Sequence, residues 1–255
     1  MIDVFHNVVS FAIAHPMRFM TLLFVARIAI LTAVERLYPA HSPPTWSERW
    51  RDVGAMLVVG LAAAPAAAYA NRWFAIRPAI PHLIMELPLV ARFFLYLVIA
   101  DFGHYWVHRL LHTRHLWRVH KWHHQPTYMY WLAGVRGSFL QSVLVNLPYI
   151  FAGVLLQIAP AWMAVAILSI NVLQNDWMHL NVGWGTRWLE WFVVTPRYHH
   201  LHHSDDPVHY RGNLAPLFTV WDRLFGTYVD PARVTHKISF GIGERVSPVR
   251  LAVGV

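Results

Sequence analysis

The chain has 255 residues, of which 56% are hydrophobic and 13% charged, with a net charge of +8. That is length enough for a full core but too apolar for an ordinary water-soluble domain, so an integral membrane protein is expected. Cysteine is absent, which excludes disulfides, cysteine-ligated zinc, iron–sulfur clusters and thiolate-bound haem and leaves the redox compartment open.

The first twenty residues lack a basic n-region and a small-residue cleavage site, so no cleaved signal peptide is expected. Phe19 to Val34 is apolar, interrupted by Arg27, and His41 to Trp50 is a polar connection whose Ser47 to Arg51 stretch can start an interfacial turn. Val53 to Asn71 is charge-free and of spanning length, while three prolines between Arg77 and Pro88 predict a loop. From Leu89 the apolar run continues into DFGHYWVHRLLH with no breaker but Gly103. One helix should therefore leave the bilayer still wound, with Asp101, His104, His108 and His112 on one face. Gly137 to Asn175 carries no charge; a span needs about 20 residues, so this stretch predicts a helical hairpin turning near Pro160. The expected fold is an all-α integral membrane helical bundle of about four spans, with five or six as alternatives. Residues 1–255 read as one unit capped by the segment after His203, and no domain boundary is visible.

The positive charge has a membrane explanation. Arg109, Arg114, Arg118, Lys121 and Arg136 flank the first histidine clusters, and Arg187, Arg197, Arg211 and Arg223 surround the last. This is the positive-inside pattern; it argues against a nucleic-acid partner and puts the clusters on the cytoplasmic face, with both termini on that side.

The clusters are HRLLH at His108 to His112, HKWHH at His120 to His124 and HHLHH at His199 to His203, with His179 between them. Helical residues three or four apart share a face, so each cluster aims its imidazoles together. Nine convergent imidazoles are too many for one ion and suit two. Imidazole alone does not choose among zinc, copper, iron and nickel. His104, His115 and His200 read as solvated or supporting residues, and His6, His15, His41, His82, His209 and His236 receive no role. A carboxylate can fix the tautomer of a ligating histidine, which makes Asp101 and Asp176 candidate supports.

DFGHYWVHRLLH, then LWRVHKWHH, then TPRYHHLHH with WDRLFGTY downstream, together resemble the fatty acid hydroxylase superfamily, which includes sterol desaturases and sterol C4-methyl oxidases. The resemblance covers about residues 101–228. It implies a di-iron centre that uses O2 and external electrons to hydroxylate or desaturate a lipid, with zinc as the expected substitute in purified protein. The implied ligands are His108, His112, His120, His123, His124, His179, His199, His202 and His203. Some relatives carry a further histidine four residues before the one matching His179; here that position is Asn175, which leaves Asn175 or His104 as the tenth-ligand candidate. The WDRLFGTY signature is expected to pack the cap, with Asp222 and Arg223 pairing locally. No flavin, haem or nicotinamide motif is visible, so the implied donor is a separate cytochrome b5- or ferredoxin-type protein. A bacterial inner membrane fits better than endoplasmic reticulum. The rival class is a histidine-rich metal transporter or metal-binding membrane protein, which should line a path across the bilayer with polar residues.

Overall fold

The computed structural model describes residues 2–57, 60, 84, 86–156, 173–244, 247, 249–250 and 254. Among them the regular structure is helical, with two isolated β-bridges, Val193 to Phe218 and Ser204 to Phe240, and no strand. The expected span at Val53 to Asn71, the loop from Arg77 and the return leg of the hairpin lie largely outside the described residues.

Helices α1 (Ile2–Ala14) and α2 (Pro16–Leu37) open the chain, with Pro16 at the first helical position, where its missing N–H costs nothing. A helix α3 over residues 46–57 follows. It begins with a capping box: the Thr45 backbone N–H donates to Glu48 Oε2 at 2.6 Å, and the Glu48 N–H approaches Thr45 Oγ1 at 3.4 Å. Helix α4 (Leu89–Leu111) is unbroken, as its sequence predicts. α2 and α4 are both long and apolar enough to cross a membrane.

The two faces of α4 differ. Tyr96, Ala100, Asp101, Tyr105 and His108 are buried at helical spacing, while Val90, Phe94, Val98, Phe102 and Leu110 point out exposed. Helix α6 (Phe139–Leu155) runs antiparallel to α4: Arg92 Nη1 donates to the Leu156 carbonyl at one end, and His104 meets Tyr149 further along. Between these contacts a Cβ on Gly103 would lie 2.8 Å from Pro148 Cβ, so glycine is what lets the helices approach.

Buried polar links tie α2 and α3 to the cap. Glu35 accepts from the Trp131 and Asn181 N–H groups at 2.7 and 2.9 Å, and Asp52 accepts from Arg136 Nε at 2.7 Å and Tyr128 Oη at 2.8 Å. Arg27 reaches Asp176 with two N–H groups at 2.5 and 2.6 Å. The shorter helices are α5 (Trp117–His124), α7 over residues 173–179, α8 (Pro196–His202), α9 (Pro207–Tyr210) and α10 (Val220–Leu224). Thr195 caps α8 by accepting from the Tyr198 N–H at 3.2 Å, and Thr195 Oγ1 in turn donates to buried Glu190 at 2.8 Å.

Candidate metal centre

The nine clustered histidines converge from α4, α5, α7 and α8 into two groups. His108, His112, His120, His124 and His202 form one; His123, His179, His199 and His203 form the other; within each, one nitrogen per ring lies within 4.8 Å of all the others. The rings of His124 and His203 stack at 4.4 Å across the boundary, so the groups are adjacent. Among the described residues no carboxylate joins either group.

The two His-x-x-His-His motifs divide reciprocally. In α5, positions 120 and 124 enter the first group and 123 enters the second; at α8, positions 199 and 203 enter the second group and 202 the first. Residues i and i+4 share a line along a helix, and i+3 lies beside it, so each short helix faces both groups at once.

Backbone carbonyls set the ring tautomers. His108 Nδ1 donates to Leu214 O at 2.7 Å, His123 Nδ1 to Arg136 O at 2.9 Å, His179 Nδ1 to Asn175 O at 2.8 Å and His202 Nδ1 to Gly212 O at 2.9 Å. The Nε2 atoms of these four rings are then bare lone pairs directed inward. His179 and His123 present them to each other at 3.4 Å, an arrangement with no proton between them, and His202 Nε2 is buried without a partner. His112 has neither ring nitrogen satisfied.

Neighbouring Nε2 atoms are 3.0 to 3.4 Å apart: His203 to His199 at 3.0, His199 to His179 and His108 to His120 at 3.1, and His124 to His120 at 3.2. Metal–imidazole bonds of about 2.0–2.1 Å give ligand–ligand edges of about 2.9 Å in an octahedron and about 3.3 Å in a tetrahedron. The nitrogens have the spacing of a coordination shell. Burial drives His123 down to about 4 and His202 to about 3, and holds His120, His124, His179, His199 and His203 well below the ordinary histidine range. They are neutral near pH 7, the form that binds metal.

The carboxylates expected to support the histidines or to pair locally have other partners. Asp101 does not reach a histidine; its Oδ2 accepts from the Phe218 N–H at 2.9 Å and Trp221 Nε1 at 2.8 Å, tying α4 to α10 and the residues just before it. Asp176 pairs with Arg27 instead. His104 stands outside both groups, with Nδ1 2.7 Å from Tyr149 Oη, and His200 turns away to His41 at 3.1 Å. His115 is exposed. Asp222 and Arg223 do not pair with each other. Asp222 collects four donors, from Leu214 N, Ala215 N, Tyr198 Oη and Thr227 Oγ1 at 2.6 to 2.8 Å, because its carboxylate is buried among them. Arg223 donates to Glu190 O at 2.9 Å and lies between the Trp191 and Tyr228 rings.

Three residues that sequence reasoning passed over hold the histidines in place. Asn213 sits at φ 54°, between the two carbonyls that receive His202 and His108, and its side chain bonds Val229 and Tyr198. Arg136, anchored by Asp52, offers its carbonyl to His123. Gly134 packs so closely that a Cβ there would lie 2.4 Å from His179 Nδ1. Beside both groups lies a cavity of about 120 Å³ lined by His104, Gln141, Val145, Tyr149, Gln174 and Asn175, among others.

An alkylglycerol monooxygenase of Xenopus tropicalis is 32% identical over 152 residues, 58% of this chain and 32% of that protein. The human alkylglycerol monooxygenase is 31% identical over 149 residues, again 58% of this chain and 32% of its own length, so the chain spans about a third of these relatives. The ornithine lipid hydroxylase OlsE of Rhizobium tropici is 28% identical over 244 residues, 86% of this chain and 72% of the relative. No solved structure matches. The model of the fatty acid hydroxylase family matches residues 93–227, a stretch that contains all nine convergent histidines and the carbonyls that orient them, and the chain belongs to that family.

Proposed function

We propose that the chain is a membrane-embedded di-iron oxygenase acting on a lipid C–H bond, with R–H, O2, two electrons and two protons giving R–OH and water. The observation that carries this is the pair of adjacent, carboxylate-free groups of neutral imidazoles with ring nitrogens at coordination spacing, four of them with bare Nε2 atoms. His108, His112, His120, His124 and His202 would hold one ion and His123, His179, His199 and His203 the other. Two irons there supply O2 activation and oxidation of a strong C–H bond.

The chain's own residues do the rest. Leu214, Gly212, Arg136 and Asn175 carbonyls keep the Nδ1 protons and aim the rings. The cavity beside both groups receives the reacting part of the lipid, with Val145 and Met178 against its chain and the His104–Tyr149 pair offering a hydrogen bond to an oxygen-bearing group. Asn175 lines this cavity, which supports a nine-histidine site in which the tenth position is left to substrate or solvent. The names of the relatives, a monooxygenase and a hydroxylase of lipids, favour hydroxylation over desaturation.

In this reading the outward apolar faces of α2, α4 and α6 meet acyl chains, the remaining spans bring the total to about four, and the cap lies on the cytoplasmic side of a bacterial inner membrane. Electrons come from a separate cytochrome b5- or ferredoxin-type donor. Iron-loaded protein should contain two metal ions per chain, consume O2 in the presence of lipid and reductant, and add one oxygen to that lipid by mass spectrometry. Two metals with no lipid-dependent O2 uptake would instead indicate a metal-binding or transport protein. A reporter fused after Val255 should read as cytoplasmic, and an extracytoplasmic signal would overturn the orientation.

A further inference from the structure

A second cleft, of about 630 Å³, lies in the cap and shares no lining residue with the two histidine groups. Three arginines, Arg187, Arg223 and Arg233, line it against one carboxylate, Asp230. Asp230 is already engaged: Oδ1 accepts from the Ala232 N–H at 3.0 Å, and Oδ2 faces Arg187 at 3.4 Å and Arg233 at 3.7 Å, long single-point contacts that leave both guanidinium forks open. The two arginine side chains are 69% and 83% exposed. On the inner wall, Arg223 is clasped 4.0 Å from Trp191 and 3.7 Å from Tyr228, and its Nε is buried with no hydrogen-bond partner. His209, only 7% exposed and stacked on His236, has Nδ1 3.9 Å from Asp206 Oδ2, beyond hydrogen-bond reach, and no hydrogen-bond partner.

We infer that this cleft binds the phosphate of an anionic phospholipid headgroup. A tetrahedral oxyanion offers acceptors in several directions at once, which suits donors arriving from two open guanidinium forks and two unfilled buried N–H positions. The lipid source follows from what borders the cleft. Trp188, Trp191 and Phe192 are 73%, 56% and 60% exposed in one short stretch, and Trp184 just before them packs on Tyr38 at 5.7 Å, at the end of the apolar helix α2. Exposed tryptophans beside arginines at the end of a span mark the headgroup layer. The inference needs the chain to be in a membrane and does not depend on the reaction.

The test uses the full-length, metal-loaded protein in detergent. Phosphatidylglycerol, phosphatidylcholine and inorganic phosphate are titrated separately, and bound lipid is read by native mass spectrometry together with the quenching or shift of tryptophan fluorescence. The wild type should retain phosphatidylglycerol in preference to phosphatidylcholine, and the doubly substituted Arg187→Gln, Arg233→Gln protein should bind it about tenfold or more weakly. Metal content unchanged in that variant shows that it has folded. Equal retention of phosphatidylglycerol by wild type and variant would overturn the site, and inorganic phosphate binding as tightly as the lipid would overturn the lipid source.

Discussion

Gly134 occupies a place where an imidazole leaves no room for a methyl group. In Gly134→Ala the new Cβ would press on His179 Nδ1 and on the Asn175 amide, so the ring must leave its carbonyl partner. We expect metal affinity at the His123, His179, His199 and His203 group to fall about 10- to 100-fold, as when other orienting partners of metal ligands are lost, measured by competition with a chelator. Histidine replacements separate the cages from their neighbours. His123→Ala should lose metal and turnover, whereas His200→Ala and His104→Ala should keep two ions, because their rings bond His41 and Tyr149 outside both groups; metal analysis of the three purified variants decides it, and a one-metal His104→Ala would make His104 a ligand. At this scale the eight clustered histidines were readable from their spacing, and the solitary His179 was placed with them by the family resemblance. The carbonyl acceptors were not, because every residue carries a carbonyl and only the folded path of 212–214 and 134–136 shows which ones are used. Asp101 and Asp176 misled for the same reason: a carboxylate near a ligand face in sequence still chooses among all nearby donors, and Trp221 and Arg27 were closer.

Each short helix with a His-x-x-His-His motif is useful only if it is held at a fixed rotation, since a small turn about its axis would move one ring in and another out of its group. For α8 that restraint comes at its N-terminal turn, from two carboxylates. Glu190 receives Thr195 and two Arg197 nitrogens, and Asp222 receives Tyr198 together with the backbone of residues 214–215. Replacing Asp222 by asparagine keeps the volume but turns one oxygen into an N–H2 that confronts two existing donors. A loss of about 2–4 kcal/mol is expected, in the range for a buried charged acceptor removed from its donors, with metal content falling as His108 loses the Leu214 carbonyl. Thermal denaturation and metal analysis together test it, and a variant of wild-type stability would exclude the clamp. WDRLFGTY stood out in the sequence as a signature, yet its partners could not be assigned from local spacing. Asp222 bonds forward to Thr227 but also back to 198 and 214–215, and Arg223 is drawn away by two aromatic rings.

Over the whole molecule, burying so many imidazoles makes stability depend on pH in a definite direction. His200 and His202 are held near 3 and His123 near 4, against 6.5 for a free side chain, chiefly because burial disfavours the charged ring. Above pH 6.5 neither the folded nor the unfolded form binds a proton at these groups, and they contribute no pH dependence. Between 6.5 and those lower values the unfolded chain takes protons that the folded chain refuses, so stability falls as pH falls, by up to about 1.4 kcal/mol per pH unit for each such histidine. Metal-free protein should therefore denature at a lower temperature at pH 5 than at pH 7.5; a midpoint that rises on acidification would contradict the buried neutral rings. The helical class and the two apolar helices were legible because length and apolar composition dominate, and the unbroken course of 89–111 followed from the lack of breakers.

That unbroken course has a mechanical consequence. Helix α4 is a single rod whose first turns expose Val90, Phe94 and Val98 and whose last turn carries His108, with His112 at its end. A rigid helix transmits axial displacement with little loss, and hydrophobic mismatch with the surrounding lipid is relieved by tilt or sliding of such rods. In the proposed membrane placement the thickness of the bilayer would bear on the position of these two imidazoles, and lipid composition would act on the geometry of the centre as well as on the supply of substrate.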